Sequence, residues 1–388
     1  MLKLIKNGII YSPEYLGSKD ILISGSKILN IADNIDVSSS MAPVEIIDLN
    51  GKYVVPGFVD QHVHILGGGG EAGFHSRTPE VQLSNIVEAG ITTVVGLLGT
   101  DGSTRNVEAL VAKANALENE GITTYALTGS YELPTVTLTG SVRKDIVFID
   151  KVLGVKIALA DSRSSYPKED DLIRLISDVR VAGMMSGKVG IAHIHMGDLD
   201  EKLDKIMNIV KTTELPIKHF RPTHVTKSRE LFESAIEFTK LGGIIDITAY
   251  GQQGMNSKKI RPNKAVKECI ERDVPLDSIT LSSDGNGSMP RFNDKGEIES
   301  IGVGSLKTLH EAFVDLVMED NIDIATALRF ITSNVAVNLN LYPAKGCIGI
   351  GSDADLVVMD EVLNIETVIA RGNIMMENSE VLVKGTFE

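Results

Sequence analysis

The chain has 388 residues, 43% hydrophobic and 23% charged, which is globular composition and excludes a disordered or collagen-like polymer. Lys and Arg total 38 against 52 Asp and Glu, and the net charge of −14 argues against a polyanionic partner such as nucleic acid. Met1 to Ile10 shows no cleavable leader pattern, and no run approaches the roughly 18 apolar residues of a membrane span, so a soluble, cytoplasmic protein is expected.

From the start to about Val55, short apolar runs such as Ile21-Leu22-Ile23 and Val44-Glu45-Ile46-Ile47 alternate with turn residues, the grammar of strands and hairpins. The middle of the chain changes character. Eight short apolar runs recur, at Val59 to His64, Ile91 to Leu98, Ile122 to Thr128, Val155 to Leu159, Gly190 to His195, Lys218 to His224, Gly243 to Thr248 and Ile279 to Asp284. Stretches of helical period lie between them, for example Asp170 to Met185 and Ser228 to Lys240. The end of the chain returns to strands, Asp355 to Met359 and Thr367 to Asn373, with Gly372-Asn373 as a turn signal.

Strands alternating with helices predict an α/β chain, a (β/α)₈ TIM barrel over residues 56–345, with an open doubly wound sheet as the structural competitor. The two ends, 1–55 and 346–388, are expected to pair into one small β-sandwich domain. Polar placement favours the barrel, because function sits at the carboxyl ends of barrel strands and the candidate ligands fall there.

His62-Val63-His64 sets two imidazoles on one face of the first barrel strand, since residues two apart share a face. Two neutral imidazoles can hold a divalent cation, although His-x-His alone is as readily a pair of structural histidines. Cys269 and Cys347 are too far apart in sequence to suggest a cysteine site, so any metal uses His and oxygen ligands.

Lys156 stands inside the apolar strand Gly154-Val155-Lys156-Ile157-Ala158-Leu159, where an ammonium loses its hydration and its pKa is driven down. A neutral amine can add carbon dioxide, and the carbamate bridges two metals as a carboxylate would. The plain alternative is a lysine whose ammonium reaches the rim or pairs with an acid. His195 and His224 would complete a second metal position, giving ions about 3.5–4 Å apart that share a hydroxide. Asp284, at the end of the eighth strand, would ligate one ion, take a proton from the water and return it to the leaving amine. His193 lies deeper on the His195 face and is assigned to packing or to a hydrogen bond behind the ligands. His219 is expected on the opposite face from His224, and His75 and His310 are read as solvated or structural.

Together these residues resemble the amidohydrolase superfamily, and within it the isoaspartyl dipeptidase (β-aspartyl peptidase) family of zinc enzymes. The likeness runs over nearly the whole chain. It is carried by Asp60-Gln61-His62-Val63-His64 leading into Gly67 to Gly73, by Pro222-Thr223-His224-Val225, by Ser282-Ser283-Asp284-Gly285-Asn286-Gly287-Ser288, and by the terminal Lys384 to Glu388. The resemblance implies two divalent ions, most often zinc, at His62, His64, Lys156 as its carbamate, His195, His224 and Asp284.

It also implies that Gly69, Gly70 and Glu71 hold the aspartyl end of a β-aspartyl dipeptide, with Glu71 on the α-amino group. Thr100, Tyr131, Arg163 and Ser288 match further substrate contacts, Tyr131 toward the carbonyl oxygen and Arg163 toward a carboxylate. Where the family places an arginine after the strand-six histidine, this chain has Lys227, which keeps the charge and loses the planar fork. Arg221 is a possible substitute for it. The family further implies a homo-oligomer, an octamer. Competing readings are a dihydroorotase- or hydantoinase-like hydrolase with the same machinery, and a non-catalytic barrel, which would be expected to have lost ligands that this chain retains.

Overall fold

The computed structural model describes residues 2–38, 43–251, 255–292 and 298–388. Five strands come first: β1 (Leu2–Tyr11), β2 (Tyr15–Ser24), β3 (Lys27–Ala32), β4 (Val44–Asp48) and β5 (Tyr53–Pro56). Eight parallel strands follow, β6 (Phe58–Val63), β7 (Ile91–Gly96), β8 (Thr123–Gly129), β9 (Val152–Leu159), β10 (Ile191–Met196), β11 (Phe220–Thr223), β12 (Ile245–Thr248) and β13 (Ile279–Ser282). They pair in sequence order. A parallel bridge from Val63 to Gly285 and the bond from His64 N to Gly285 O, 2.9 Å, close the ring between its first and last strands.

A helix follows each barrel strand: α1 (Leu83–Glu88), α2 (Val107–Glu120), α3 (Val142–Phe148), α4 (Glu169–Ser186), α5 (Asp204–Thr212), α6 (Arg229–Lys240), α7 (Pro262–Glu271) and α8 (Thr308–Met318). These are the helices that cover a barrel's outer face, so its strands need apolar residues on both sides; all eight positions of β9 are buried. Local chemistry sets the helix ends. The Asn106 carboxamide oxygen accepts from Ala109 N at 2.8 Å to start α2, and the Ser228 hydroxyl accepts from Leu231 N at 3.2 Å to start α6.

Between β13 and α8 runs a hairpin, β14 (Ser288–Phe292) with β15 (Ile298–Val303), and two further short helices, α9 (Ile324–Arg329) and α10 (Ser333–Asn338), come after α8. The chain then returns to the first sheet through β16 (Leu356–Met359), β17 (Ile365–Ala370), β18 (Asn373–Glu377) and β19 (Glu380–Val381). The chain ends build one hydrogen-bonded sheet of nine strands, in which β16 lies antiparallel to β5. Ile5, Ile10, Ile21 and Ile23 from one end pack with Leu356, Val358 and Ile369 from the other.

Two local expectations change. His219 belongs to a single turn of 3₁₀ helix, Ile217–His219, ahead of β11, and its Nδ1 donates to Gly190 O at 2.7 Å. The turn between β17 and β18 is Arg371-Gly372, at φ 50° and 75°, with Asn373 already in the next strand. Gly372 fits there because a Cβ would lie 2.0 Å from Gly25 O.

Candidate active site

His62 lies on β6 and His64 just past its end, with ring centroids 5.4 Å apart. Their Nε2 atoms approach the same oxygen, Asp284 Oδ1, at 3.3 and 3.2 Å. Asp284 and His224 follow β13 and β11 in left-handed backbone, φ 54° and 61°, a region that Asp and His enter more readily than most residues. The His224 ring lies 4.8 Å from that of His62 and 4.5 Å from that of His195.

Lys156 is fully buried on β9, its Nζ 3.2 Å from His62 Nε2. Burial, with a smaller push from Lys227, brings its amine down to about 7. Burial foremost, and neighbouring cations after it, also hold the imidazoles of His62, His195 and His224 well below their usual range, which leaves them neutral with a lone pair to share.

The fit to a divalent cation rests on that donor set. One ligand atom each from His62, His64 and Asp284 lie within 4.8 Å of one another. His62, His193 and Asp246 satisfy the same distance, yet His193 Nε2 and His62 Nδ1 already share a hydrogen bond of 2.9 Å. Asp246 meanwhile accepts from Gln61, Thr223, Thr280 and Ser282 at 2.6 to 3.0 Å. The deeper group is therefore engaged through His193 Nε2 and the Asp246 carboxylate and braces the upper one, while His193 Nδ1 has no hydrogen-bond partner among the described residues. Among the described residues no triad within that distance includes His195 or His224.

Around the histidines stand the residues expected to meet a substrate. Tyr131 Oη is 2.6 Å from His195 Nδ1, and burial raises its phenol well above the usual range, so it stays a hydroxyl donor. Arg163 donates to Asp161 through Nε at 2.9 Å and Nη2 at 2.8 Å, and to Glu71 Oε1 through Nη1 at 3.0 Å. Ser288 Oγ donates to Glu71 Oε2 at 3.3 Å. Lys227 Nζ donates to Met196 O at 2.7 Å and is 2.7 Å from His195 Nε2. Arg221 instead gives its Nη1 to the carbonyls of Lys218 and Phe220, at the beginning of β11, so it does not take the place of Lys227, which with Arg163 lies beside His195. Thr100 lies in the segment after β7, partly buried.

The glycine run is a fixed loop. Gly68 N donates to Thr78 Oγ1 at 2.7 Å and to Asn286 O at 3.1 Å, and Gly69 bridges Arg77. At Gly69, φ 79°, a Cβ would sit 2.2 Å from Ser76 O; Gly70, φ 106°, is similarly left-handed. The Ser-Ser-Asp-Gly-Asn-Gly-Ser stretch braces the same region: Ser283 Oγ donates to Asp60, and Asn286 Nδ2 donates to His64 O at 3.0 Å and Pro79 O at 2.8 Å.

Sequence reasoning missed Asp161, Asp60 and Asp246. For Asp161, burial pushes the carboxyl up, but hydrogen bonds from Arg163 and His195 outweigh it and hold the group ionised far below the ordinary range. Its signal was present, an acid two residues before Arg163 just past a barrel strand. Asp60 was legible as the next same-face residue below His62. It accepts from His62 N at 3.1 Å, and burial raises its carboxyl to about 7 against donors from Ser283 and His62.

The sequence profile described as the amidohydrolase family matches residues 53–385. The chain belongs to the amidohydrolase family. Across the whole fold it is similar to the crystal structure of a beta-aspartyl dipeptidase from Fervidobacterium islandicum AW-1 in complex with beta-Asp-Leu, with 42% identity and a TM-score of 0.93, covering 98% of this chain and 97% of that one. A dihydropyrimidinase from Brevibacillus agri shares the fold at 16% identity and a TM-score of 0.67, over 98% and 96% of the two chains. A dihydroorotase from Staphylococcus epidermidis is 41% identical over 99 residues, a match spanning 26% of this chain and 22% of that protein's length. This amidohydrolase thus carries, at its strand ends, a donor set suited to a metal-dependent hydrolase, and no helix among its described residues is long and apolar enough to cross a membrane.

Proposed function

We propose that this amidohydrolase cleaves the β-aspartyl amide bond of isoaspartyl dipeptides. The observation that carries the reading is the Glu71–Arg163 pair, joined at 3.0 Å beside Tyr131 and His195. It offers a carboxylate to an ammonium and a guanidinium to a carboxylate, the two charges on the α-carbon of a β-linked aspartyl residue. An α-linked aspartyl residue has its α-carboxyl consumed in the amide. The full-length likeness to a beta-aspartyl dipeptidase supports the same choice.

His62, His64, His195, His224, Asp284 and a carbamate on Lys156 would hold two divalent ions, zinc by ligand preference, with carbon dioxide as the second cofactor. Such ions supply a water acidified to neutral pH and polarise a carbonyl. The chain's own residues do the rest. Glu71, with Gly69 and Gly70 beside it, and Arg163 fix the aspartyl end, Lys227, Thr100 and Ser288 line it, and Tyr131 donates to the carbonyl oxygen as charge develops there. Asp284 takes the proton of the attacking water; the C–N bond breaks, and Asp284 returns the proton to the departing amine. Aspartate and a free amino acid leave. We also propose a cytoplasmic homo-oligomer, an octamer, which light scattering on the purified protein checks.

The test compares β-Asp-Leu with α-Asp-Leu before and after chelation. Metal-dependent cleavage of the β-linked peptide alone is expected. Failure on both, with turnover of dihydroorotate or a hydantoin, would instead favour the cyclic-amide reading that the local dihydroorotase match suggests.

A further inference from the structure

Beyond the residues already placed, the loop after β12 brings a second lysine to the barrel mouth. Lys259 Nζ lies 3.9 Å from the centroid of the Tyr250 ring, a cation-over-ring contact that orients it. The loop is pinned beside Lys227, because Ile260 N donates to Thr226 O at 3.0 Å. Its Asn256 side chain accepts from Lys258 N at 3.0 Å and Lys259 N at 3.1 Å, which shapes the approach to the lysine. Tyr250 is 8% exposed, and no hydrogen bond of ordinary length holds its hydroxyl among the described residues. Lys259 is partly buried and within electrostatic reach of both Asp284 and Lys227.

A β-aspartyl dipeptide has two carboxylates and one ammonium. Glu71 and Arg163, on the loops after β6 and β9, account for the ammonium and one carboxylate. The second carboxylate belongs to the amino acid that departs, and its nitrogen must lie next to Asp284, the proton donor after β13. The neighbouring strand in the ring is β12, whose loop carries Tyr250 and Lys259. A cation placed there, on an aromatic platform, faces the departing half of the substrate.

We propose that Lys259, seated on Tyr250, binds the α-carboxylate of the leaving amino acid, so that a free C-terminal carboxylate becomes a requirement for efficient cleavage. The inference rests on the dipeptidase reading and adds a specificity determinant to it. Dipeptides are then preferred over longer or C-terminally blocked β-aspartyl peptides because these lack an anion at that point. Tyr250 sets the ammonium in place.

The experiment measures kcat/KM for β-Asp-Leu and for its C-terminal amide, with the metal-loaded full chain and its variants. The wild type is expected to favour the acid by roughly 10- to 100-fold, mostly through KM, the size of a hydrogen bond to a charged group. In Lys259→Met the ratio falls toward one, and in Lys259→Arg it is largely kept. Because the ratio is taken within one protein, partial loss of folded material does not affect it. A ratio near one in the wild type, or a large ratio that survives in Lys259→Met, overturns the assignment while leaving dipeptidase activity intact. If the wild type cleaves neither compound, the dipeptidase reading itself fails and takes this one with it.

Discussion

His193 Nε2 and His62 Nδ1 lie 2.9 Å apart below the rim of the barrel, so the ring whose Nε2 faces Asp284 is held by its other nitrogen. Burial keeps both imidazoles neutral, so one nitrogen of the pair carries the shared proton and the other accepts it. The residue assigned in sequence to packing or a supporting hydrogen bond thus acts as a support.

His193→Asn is expected to lower metal affinity by roughly 10- to 100-fold, the usual effect of losing a partner behind a ligand. Competition with a chromogenic chelator measures it. Unchanged affinity in a folded variant would show that the contact does not orient His62.

Carbon dioxide adds to an amine only in its neutral form, and the Lys156 amine is held at about 7 by burial. Raising the pH through that value increases the neutral fraction, and lowering it protonates the group. Reactivation of chelated protein with zinc, at fixed dissolved carbon dioxide, should therefore be fast and nearly pH-independent above about 8, and slow by about tenfold per unit below about 6. Lys156→Met should bind fewer ions per chain than wild type and show no carbonyl signal when labelled carbon dioxide is supplied. Full metal content and activity in that variant would exclude the carbamate.

Glu71→Gln keeps the shape of the side chain but removes the charge that faces both Arg163 and Ser288. A fall of roughly 10- to 100-fold in kcat/KM for β-Asp-Leu is expected, carried by KM. Tyr131→Phe should behave oppositely, with kcat reduced by roughly 10²- to 10³-fold and KM little changed, as for loss of a donor to a developing oxyanion. Steady-state kinetics on the two variants separate the roles. A pure KM effect at Tyr131 would remove it from the chemistry.

Gly69→Ala tests the fixed loop, since the new Cβ would meet Ser76 O at 2.2 Å in a backbone at φ 79°. Something must move, and a loss of more than about 1 kcal/mol is expected from the backbone conformation alone. Calorimetry reads the stability, and KM should rise with it as Glu71 shifts. A variant with wild-type melting and KM would mean the loop yields freely.

Much of this protein is written in local pattern. Short apolar runs at the right spacing place all eight barrel strands, because a strand covered on both faces must be apolar along its length. The two-residue period puts His62 and His64 together, and a lysine inside an apolar strand already signals an amine stripped of water. Helix limits were equally legible, as at Ser228, whose hydroxyl starts α6.

Tertiary structure alone decided which distant loops meet. Glu71 and Arg163 stand 92 positions apart and become partners only when the ring closes through Val63 and Gly285. The Asp161 clamp on Arg163, the support of His62 by His193 and the approach of Lys259 to Tyr250 depend likewise on how the loops settle over a closed barrel. Spacing along a strand carries its own geometry. The distance between two loops is set by packing, which no short stretch of sequence contains.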